Sequence, residues 1–205
     1  MVPMPSKGLN RRKVLSTIAG SALASPFLLS GADGSSSGKK GWAGGDTKLH
    51  KLFRASWYYT WSPKTRPSRA CEFVPMMKGA WSLKQAPAVQ QMKVISNLLG
   101  FNEPSQEKQK REIDFVAIHW YGGRNADAFE KFADDFDKPI WVTEFNGWDG
   151  PEPENYEFLK KSLKFMERSR EVERYAYFNK KKGTPLSLLK ANGSPSRMGE
   201  LYRDA

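Results

Sequence analysis

Seven short runs of aromatic, β-branched and other apolar residues recur along the chain, at 40–43, 55–61, 72–77, 97–102, 113–121, 139–145 and 174–178. Each has the length of a strand. The stretches at 47–53, 87–95, 126–136 and 154–170 carry helical character instead. Strand-length runs alternating with helices are the pattern of βα units, in which each helix returns the chain so that successive strands lie parallel. The fold class is therefore α/β. The clearest strand is 113–121, Ile-Asp-Phe-Val-Ala-Ile-His-Trp-Tyr, which Gly122-Gly123 ends. In the longest helix, 154–170, Tyr156, Leu159, Leu163 and Met166 fall at helical spacing, with lysines on the outer face. Pro63 and Pro67 make 62–70 a loop, and Pro75 weakens 72–77 as a strand. After 178 the chain reads as an irregular basic tail, in which Lys180-Lys181-Lys182 is a solvated turn.

Composition removes several function classes. The single cysteine, Cys71, excludes an intramolecular disulfide framework and any multi-cysteine metal site, and the two histidines, His50 and His119, exclude a three-histidine one. No metal and no cofactor is expected. The formal net charge of +11 raises the question of nucleic acid, and its distribution answers it. Residues 1–40 hold six basic residues against one acidic, Asp33, so five of the eleven excess charges sit in the first fifth of the chain. There Asn10-Arg11-Arg12-Lys13 precedes a mildly apolar stretch, 14–29, broken by Gly20, Ser25 and Pro26. That is the layout of a signal peptide, and the arginine pair is twin-arginine-like. The stretch is too interrupted to be a spanning helix. Residues 1–38 are thus expected to be a signal peptide and flexible linker, the latter at Ser35-Ser36-Ser37-Gly38, and 39–205 one folded domain. The expectation is an exported monomer with no stable membrane anchor and no nucleic-acid partner, in which Cys71 is buried or inert.

In parallel α/β folds, ligands bind at the carboxyl ends of the strands. Three runs end in reactive groups: Asn102-Glu103-Pro104, His119-Trp120-Tyr121 and Glu144-Phe145-Asn146. Strict alternation places Leu99, Phe101 and Glu103 on one face of their strand. It groups Phe115, Ala117, His119 and Tyr121 on a second strand, and Ile140, Val142 and Glu144 on a third. A glutamate at a strand end is ordinarily a cap, and a lone histidine is ordinarily a core residue. Two carboxylates beside an imidazole and a phenol, however, suit acid/base and nucleophilic chemistry on an acetal. All seven tryptophans lie between Trp42 and Trp148, and Trp57, Trp61, Trp120, Trp141 and Trp148 stand in or near strand ends. Flat aromatic faces there would suit sugar rings.

Six blocks in order carry a family resemblance: Gly41-Trp42-Ala43 with Trp57-Tyr58-Tyr59-Thr60-Trp61, then Glu72-Phe73-Val74-Pro75-Met76-Met77, Leu98-Leu99-Gly100-Phe101-Asn102-Glu103-Pro104, Asp114 to Gly122, Pro139-Ile140-Trp141-Val142-Thr143-Glu144-Phe145 and Arg174-Tyr175-Ala176-Tyr177-Phe178. Together they resemble glycoside hydrolase family 128, the Asl1-like glycosyl hydrolase catalytic domain. The resemblance implies a (β/α)8, TIM-barrel-like fold and endo-acting cleavage of β-1,3-glucan by a retaining, two-carboxylate mechanism. Matched by motif, Glu103 is the acid/base and Glu144 the nucleophile. Asn102, His119, Trp120, Tyr121, Trp61 and Trp148 are the expected contacts to a β-glucan polysaccharide or oligosaccharide.

One departure stands out. The family pattern places a helix, a strand and another helix between the Asn-Glu-Pro and Asp-Phe-Val-Ala blocks, whereas here nine residues, 105–113, separate Pro104 from Asp114. A parallel crossover with its helix needs at least about 10–12 residues. The barrel is therefore expected to be incomplete, with about seven strands and one βα unit missing. Two further readings follow: a catalytically impaired carbohydrate-binding relic, or a retaining glycosidase acting on another β-glycan.

Overall fold

The structure, a computed structural model, describes residues 37–64, 71–92, 95–100, 102, 114–121, 123–134 and 136–205. Residues 1–36 of the expected leader and linker (1–38), and Phe101, Glu103 and Gly122, lie outside the described residues. Among the described residues six strands form one parallel sheet: β1 (Lys40–Ala43), β2 (Trp57–Tyr59), β3 (Glu72–Phe73), β4 (Val116–Trp120), β5 (Ile140–Phe145) and β6 (Val172–Tyr177), in the order β3-β2-β1-β6-β5-β4. The run at 97–102 adds a seventh strand position beyond β3. Leu99 pairs in parallel with Met76, its N–H donating to Pro75 O at 2.9 Å and its carbonyl accepting from Met77 N at 3.0 Å. Pro75 has no N–H to give, which keeps this contact to a single bridge.

The sheet is open. Among the described residues its two edges are the Leu99 segment and β4, which are the neighbours of the βα unit missing from the sequence. The incomplete TIM-barrel-like fold expected from the sequence is the fold observed. Edge position also explains the burial pattern. β5 is buried along its whole length, whereas most of β4 is only partly buried, with Ala117 exposed.

Helices α1 (Thr47–Leu52), α2 (Ala86–Gln90, preceded by a 3-10 helix, Ala80–Gln85), α3 (Ala126–Ala133) and α4 (Glu152–Arg168) follow the expected positions with shifted ends. Side-chain oxygens of Asp46 and Asn125 cap α1 and α3. α4 starts with Pro153 in its first turn, where a missing N–H costs nothing, and stops where Ser169 becomes extended. The tail is not irregular, which corrects the sequence reading. It forms α5 (Arg197–Asp204), capped by Ser196, with Met198 and Tyr202 buried. The helix was hidden by its polar composition and by Gly199. That glycine is required by a close approach, since a Cβ there would stand 2.0 Å from the Leu188 carbonyl oxygen. No helix of the described residues is long and apolar enough to cross a membrane.

Strand alternation sorts the core into two clusters. Trp42, Tyr58, Ile118, Ile140, Val142, Phe145, Tyr175 and Tyr177 face the helices and pack on Phe129, Phe158, Leu159, Met166 and Tyr202. Ala43, Trp57, Tyr59, Met76, Leu99, Trp141 and Ala176 face the barrel interior. The interior floor is a layered contact: Trp57 and Trp141 lie 5.4 Å apart, Phe115 stacks on Trp141 at 4.1 Å, and the Arg174 guanidinium sits 4.4 Å from the Trp141 centroid while pairing with Glu72 at 2.8 Å. This layer holds the strands in place beneath the carboxyl-end loops.

Two successive lysines tie the sheet to its helices. Lys39 Nζ donates to the carbonyls of Met166, Glu167 and Ser169 at the end of α4. Lys40 Nζ, buried, donates to Tyr202, Arg203 and Ala205 at the end of α5, at 2.6–3.0 Å. Helix ends leave carbonyls without intrahelical partners, and a cation there also complements the helix dipole. Lys40→Met should therefore destabilise the domain by about 2 kcal/mol, from carbonyls left unpaired. Burial pushes Lys40 down to about 8 from an ordinary value of 10.5. Between those values the unfolded chain binds the extra proton, so the Lys40 contribution to stability rises with pH. Melting curves should show the gap between wild type and Lys40→Met widening from pH 7 to 10; a gap that narrows would contradict this assignment.

Candidate active site

Glu144 reaches the interior because β5 does not alternate strictly. Ile118 pairs with Val142 but His119 pairs with Glu144, and Val142 and Phe145 on β5 span what Tyr175 and Tyr177 span on β6. One extra residue is thus accommodated between 142 and 145, a β-bulge. Val142 and Phe145 both face the helices, and Thr143 and Glu144 lie between them. The expectation that Ile140, Val142 and Glu144 share one face is corrected: the bulge turns Glu144 away from the helix side and into the interior. Bulges commonly re-aim a side chain in this way beside active sites.

Glu144 is 5% exposed, and its carboxylate is held on both oxygens. Oε1 accepts from Trp61 Nε1 at 2.8 Å and from Tyr59 Oη at 3.2 Å, with His119 Nε2 at 3.6 Å. Oε2 accepts from the Tyr121 hydroxyl. These donors come from the ends of β2 and β4, on either side of β5. The single Tyr59 O–H is shared between Glu144 Oε1 and Thr143 O, the latter at 3.0 Å. Burial and the nearby Glu144 charge push the Tyr59 phenol well above its ordinary range, so it remains a donor. A carboxylate surrounded by fixed donors is held in one orientation, as a nucleophile needs.

Aromatic rings flank this carboxylate. Trp61 stands edge-on to Tyr59 at 5.0 Å and to Phe178 at 6.0 Å, and Tyr121 contacts Trp148 at 5.3 Å and Phe178 at 6.0 Å. Trp61 (φ 52°) and Trp148 (φ 66°) both adopt the left-handed backbone region, which is unfavourable for bulky residues. Such strain persists where the surroundings impose it, commonly at functional sites. For Trp61 the imposing contact is the bond to Glu144. For Trp148 it is Asn146, fully buried, whose Oδ1 accepts from Trp148 N at 2.7 Å while its Nδ2 donates to Phe178 O at 2.9 Å. Trp148 is 57% exposed, an open face rimmed by Lys180, whose ammonium lies 5.0 Å from both the Trp148 and Phe178 ring centroids.

The structure therefore brings together Glu144, His119, Tyr121, Trp61 and Trp148. It does not bring Trp120 to them. Alternation along β4 turns that ring to the helix side, where it stacks on Phe129 at 5.2 Å. Trp57 and Trp141 likewise belong to the floor. Asn102 sits at the Leu99 edge, its N–H donating to Lys78 O at 3.1 Å and its Oδ1 buried without a partner among the described residues. Tyr59, Phe178 and Lys180 were not expected at the site. The alternation of Trp57, Tyr59 and Trp61 was the available signal for Tyr59. Among the described residues no three His, Cys, Asp or Glu side chains group as a metal site. A separate cleft of about 200 Å³ between α3 and α4, lined by Glu130, Lys161, Lys164 and Arg168 among others, lies on the helix layer and has no part in this arrangement.

A family model described as glycosyl hydrolase catalytic core matches residues 40–112 and 106–202. The two matches meet where the sequence lacks a βα unit. Alkali-sensitive linkage protein 1 of Schizosaccharomyces pombe is 30% identical over 105 residues, 44% of this chain; the match spans 20% of that protein's length. Among solved structures, a curdlan-specific exo-β-1,3-glucanase of family 128, subgroup III, from Blastomyces gilchristii is similar with a TM-score of 0.68 and 25% identity, covering 82% of this chain and 99% of that one. An exo-β-1,3-glucanase of subgroup VI from Aureobasidium namibiae shares the fold, with a TM-score of 0.69 and 16% identity over 82% of this chain and 96% of that one.

Proposed function

Since the chain belongs to the glycosyl hydrolase catalytic core family, we infer that it is an exported glycoside hydrolase that cleaves β-1,3-glucan, endo-acting and with retention of configuration. The observation that carries this reading is the Glu144 carboxylate, fixed by Tyr59, Trp61 and Tyr121 at the end of β5 and flanked by exposed aromatic surface. The similar solved structures are glucanases of the family that the sequence blocks resemble, which supports the substrate class. In this mechanism Glu144 attacks the anomeric carbon and forms a glycosyl ester. Glu103 first protonates the leaving oxygen and then deprotonates the incoming water, and the two carboxyl groups work about 5–5.5 Å apart. Asn102 and His119 bond sugar hydroxyls, while Tyr121, Trp61 and Trp148 offer ring faces. Trp120 is left out of the contact set because it faces the helices. The arginine pair and apolar stretch at the start of the chain support export.

The open sheet favours a second reading, a carbohydrate-binding relic. Leu99 is an edge of the sheet among the described residues and belongs to the segment that leads to Glu103, so the spacing of the two carboxylates depends on a strand for which the described residues supply one neighbour. The whole chain incubated with laminarin-type and curdlan-type β-1,3-glucan separates the readings. Release of reducing ends in the β-anomeric form, with a ladder of oligosaccharides, is the expected result. Binding without release supports the relic. Neither binding nor release would remove β-glucan as the ligand.

A further inference from the structure

Tyr59 stands apart from the other groups around Glu144 because it cannot reach a substrate. It is fully buried, packed between Trp57 and Trp61. Its hydroxyl lies 3.0 Å from Thr143 O and 3.2 Å from Glu144 Oε1. Thr143 is the residue just before Glu144 in the bulge, so one hydroxyl ties β2 both to the bulge backbone and to the carboxylate the bulge presents. We propose that Tyr59 is the positioning residue of this site: it fixes the orientation of the Glu144 carboxylate without touching the sugar.

The proposal rests on Glu144 being the nucleophile of the function above. The division of labour is geometric. Trp61 shares Oε1 with Tyr59, but its indole is partly exposed and can shift when a sugar binds. Tyr121 on Oε2 contacts Trp148 at the open rim. Tyr59 alone of the three hydrogen-bond donors is fixed by the core. Among the described residues, other titratable or charged groups near Glu144 are His119, 3.6 Å from Oε1, and Lys180, which lies over the Trp148 and Phe178 rings.

Tyr59→Phe keeps the ring contacts and removes only the hydroxyl. Carbon-13 NMR of glutamate side chains, with Glu144→Gln supplying the assignment, reads the Glu144 carboxyl group directly. Loss of the Tyr59 donor should move its carboxyl resonance. kcat should fall about tenfold to a hundredfold while KM stays within about twofold. A merely structural role would lower the melting temperature and leave the Glu144 resonance in place, which would overturn the proposal. If Tyr59→Phe does not fold, the unsubstituted protein still decides: a slowly exchanging Tyr59 hydroxyl proton is expected, and its absence counts against the bond. Should the chain release no sugar from glucan, the function fails, yet the NMR comparison still settles the positioning role.

Discussion

Glu144→Gln is expected to reduce glucan hydrolysis by about three orders of magnitude or more, with the fold intact. The substitution is nearly isosteric, so the effect comes from chemistry. A carboxamide cannot form the glycosyl ester, and the acid/base partner has no intermediate to resolve. The surroundings can accommodate the amide. Tyr59 and Trp61 both lie on Oε1, and Tyr121 donates to Oε2. With its carbonyl toward Tyr59 and Trp61, a glutamine presents its NH2 to the Tyr121 hydroxyl, which can turn to accept. The side chain should keep its place, and the melting temperature should change little. The measurement is initial-rate release of reducing ends, paired with calorimetric binding of a β-1,3-linked oligosaccharide. Binding should persist, because Trp61, Trp148 and His119 remain. Turnover in the variant within tenfold of wild type would rule Glu144 out as nucleophile.

Gly41→Ala is expected to be strongly destabilising. An ideal Cβ at Gly41 would stand 2.3, 2.6 and 2.7 Å from the Cε2, Nε1 and Cδ2 atoms of Trp57. The ring cannot yield easily. It is fully buried, its Nε1 donates to Lys39 O at 2.9 Å, and it packs on Trp141 with Arg174 over its face. The floor of the interior would have to be rebuilt around β1, which pairs with β2 on one side and β6 on the other. Overpacking of this kind costs about 3 kcal/mol. For a chain of this length that lowers the melting temperature by about 6–12 °C in differential scanning calorimetry. Gly100→Ala serves as the control, since a Cβ there meets nothing within 4 Å. Equal melting temperatures for the two variants would show that the floor is not packed as described.

Much of the architecture was legible before any coordinates. The strand runs at 40–43 and 139–145 became β1 and β5 with ends moved by at most one residue; in β5 nearly continuous β-branched and aromatic residues suit a strand buried on both faces. The run at 55–61 shortened to three residues because Trp61 leaves the extended region to reach Glu144. α5 was missed because its stabilising contacts are remote in sequence: Lys40 caps its end, and the Tyr202 hydroxyl donates to Gly41 O at 2.7 Å. A local reading sees only a short polar segment.

The site shows the same division. The types of its groups could be read from strand ends: two carboxylates, an imidazole, a phenol and two indoles. Which of them meet could not. Strict alternation would have aimed Glu144 at the helices, and the inserted residue in β5 reverses that; a bulge depends on how β5 registers against β4 and β6 together. Tyr59 escaped notice because a tyrosine in a strand reads as core until its hydroxyl is seen to find Thr143 and Glu144.

The sequence by itself determined the βα alternation, the family blocks and the missing unit, since each is written in local composition and spacing. Only the tertiary structure decided that the shortened barrel stays open at the Leu99 and β4 edges, that Trp120 serves the core while Trp148 serves the surface, and that Glu144 faces inward. Those outcomes depend on pairing between segments far apart in the chain, and such pairing is fixed by packing and register rather than by the residues of any one segment.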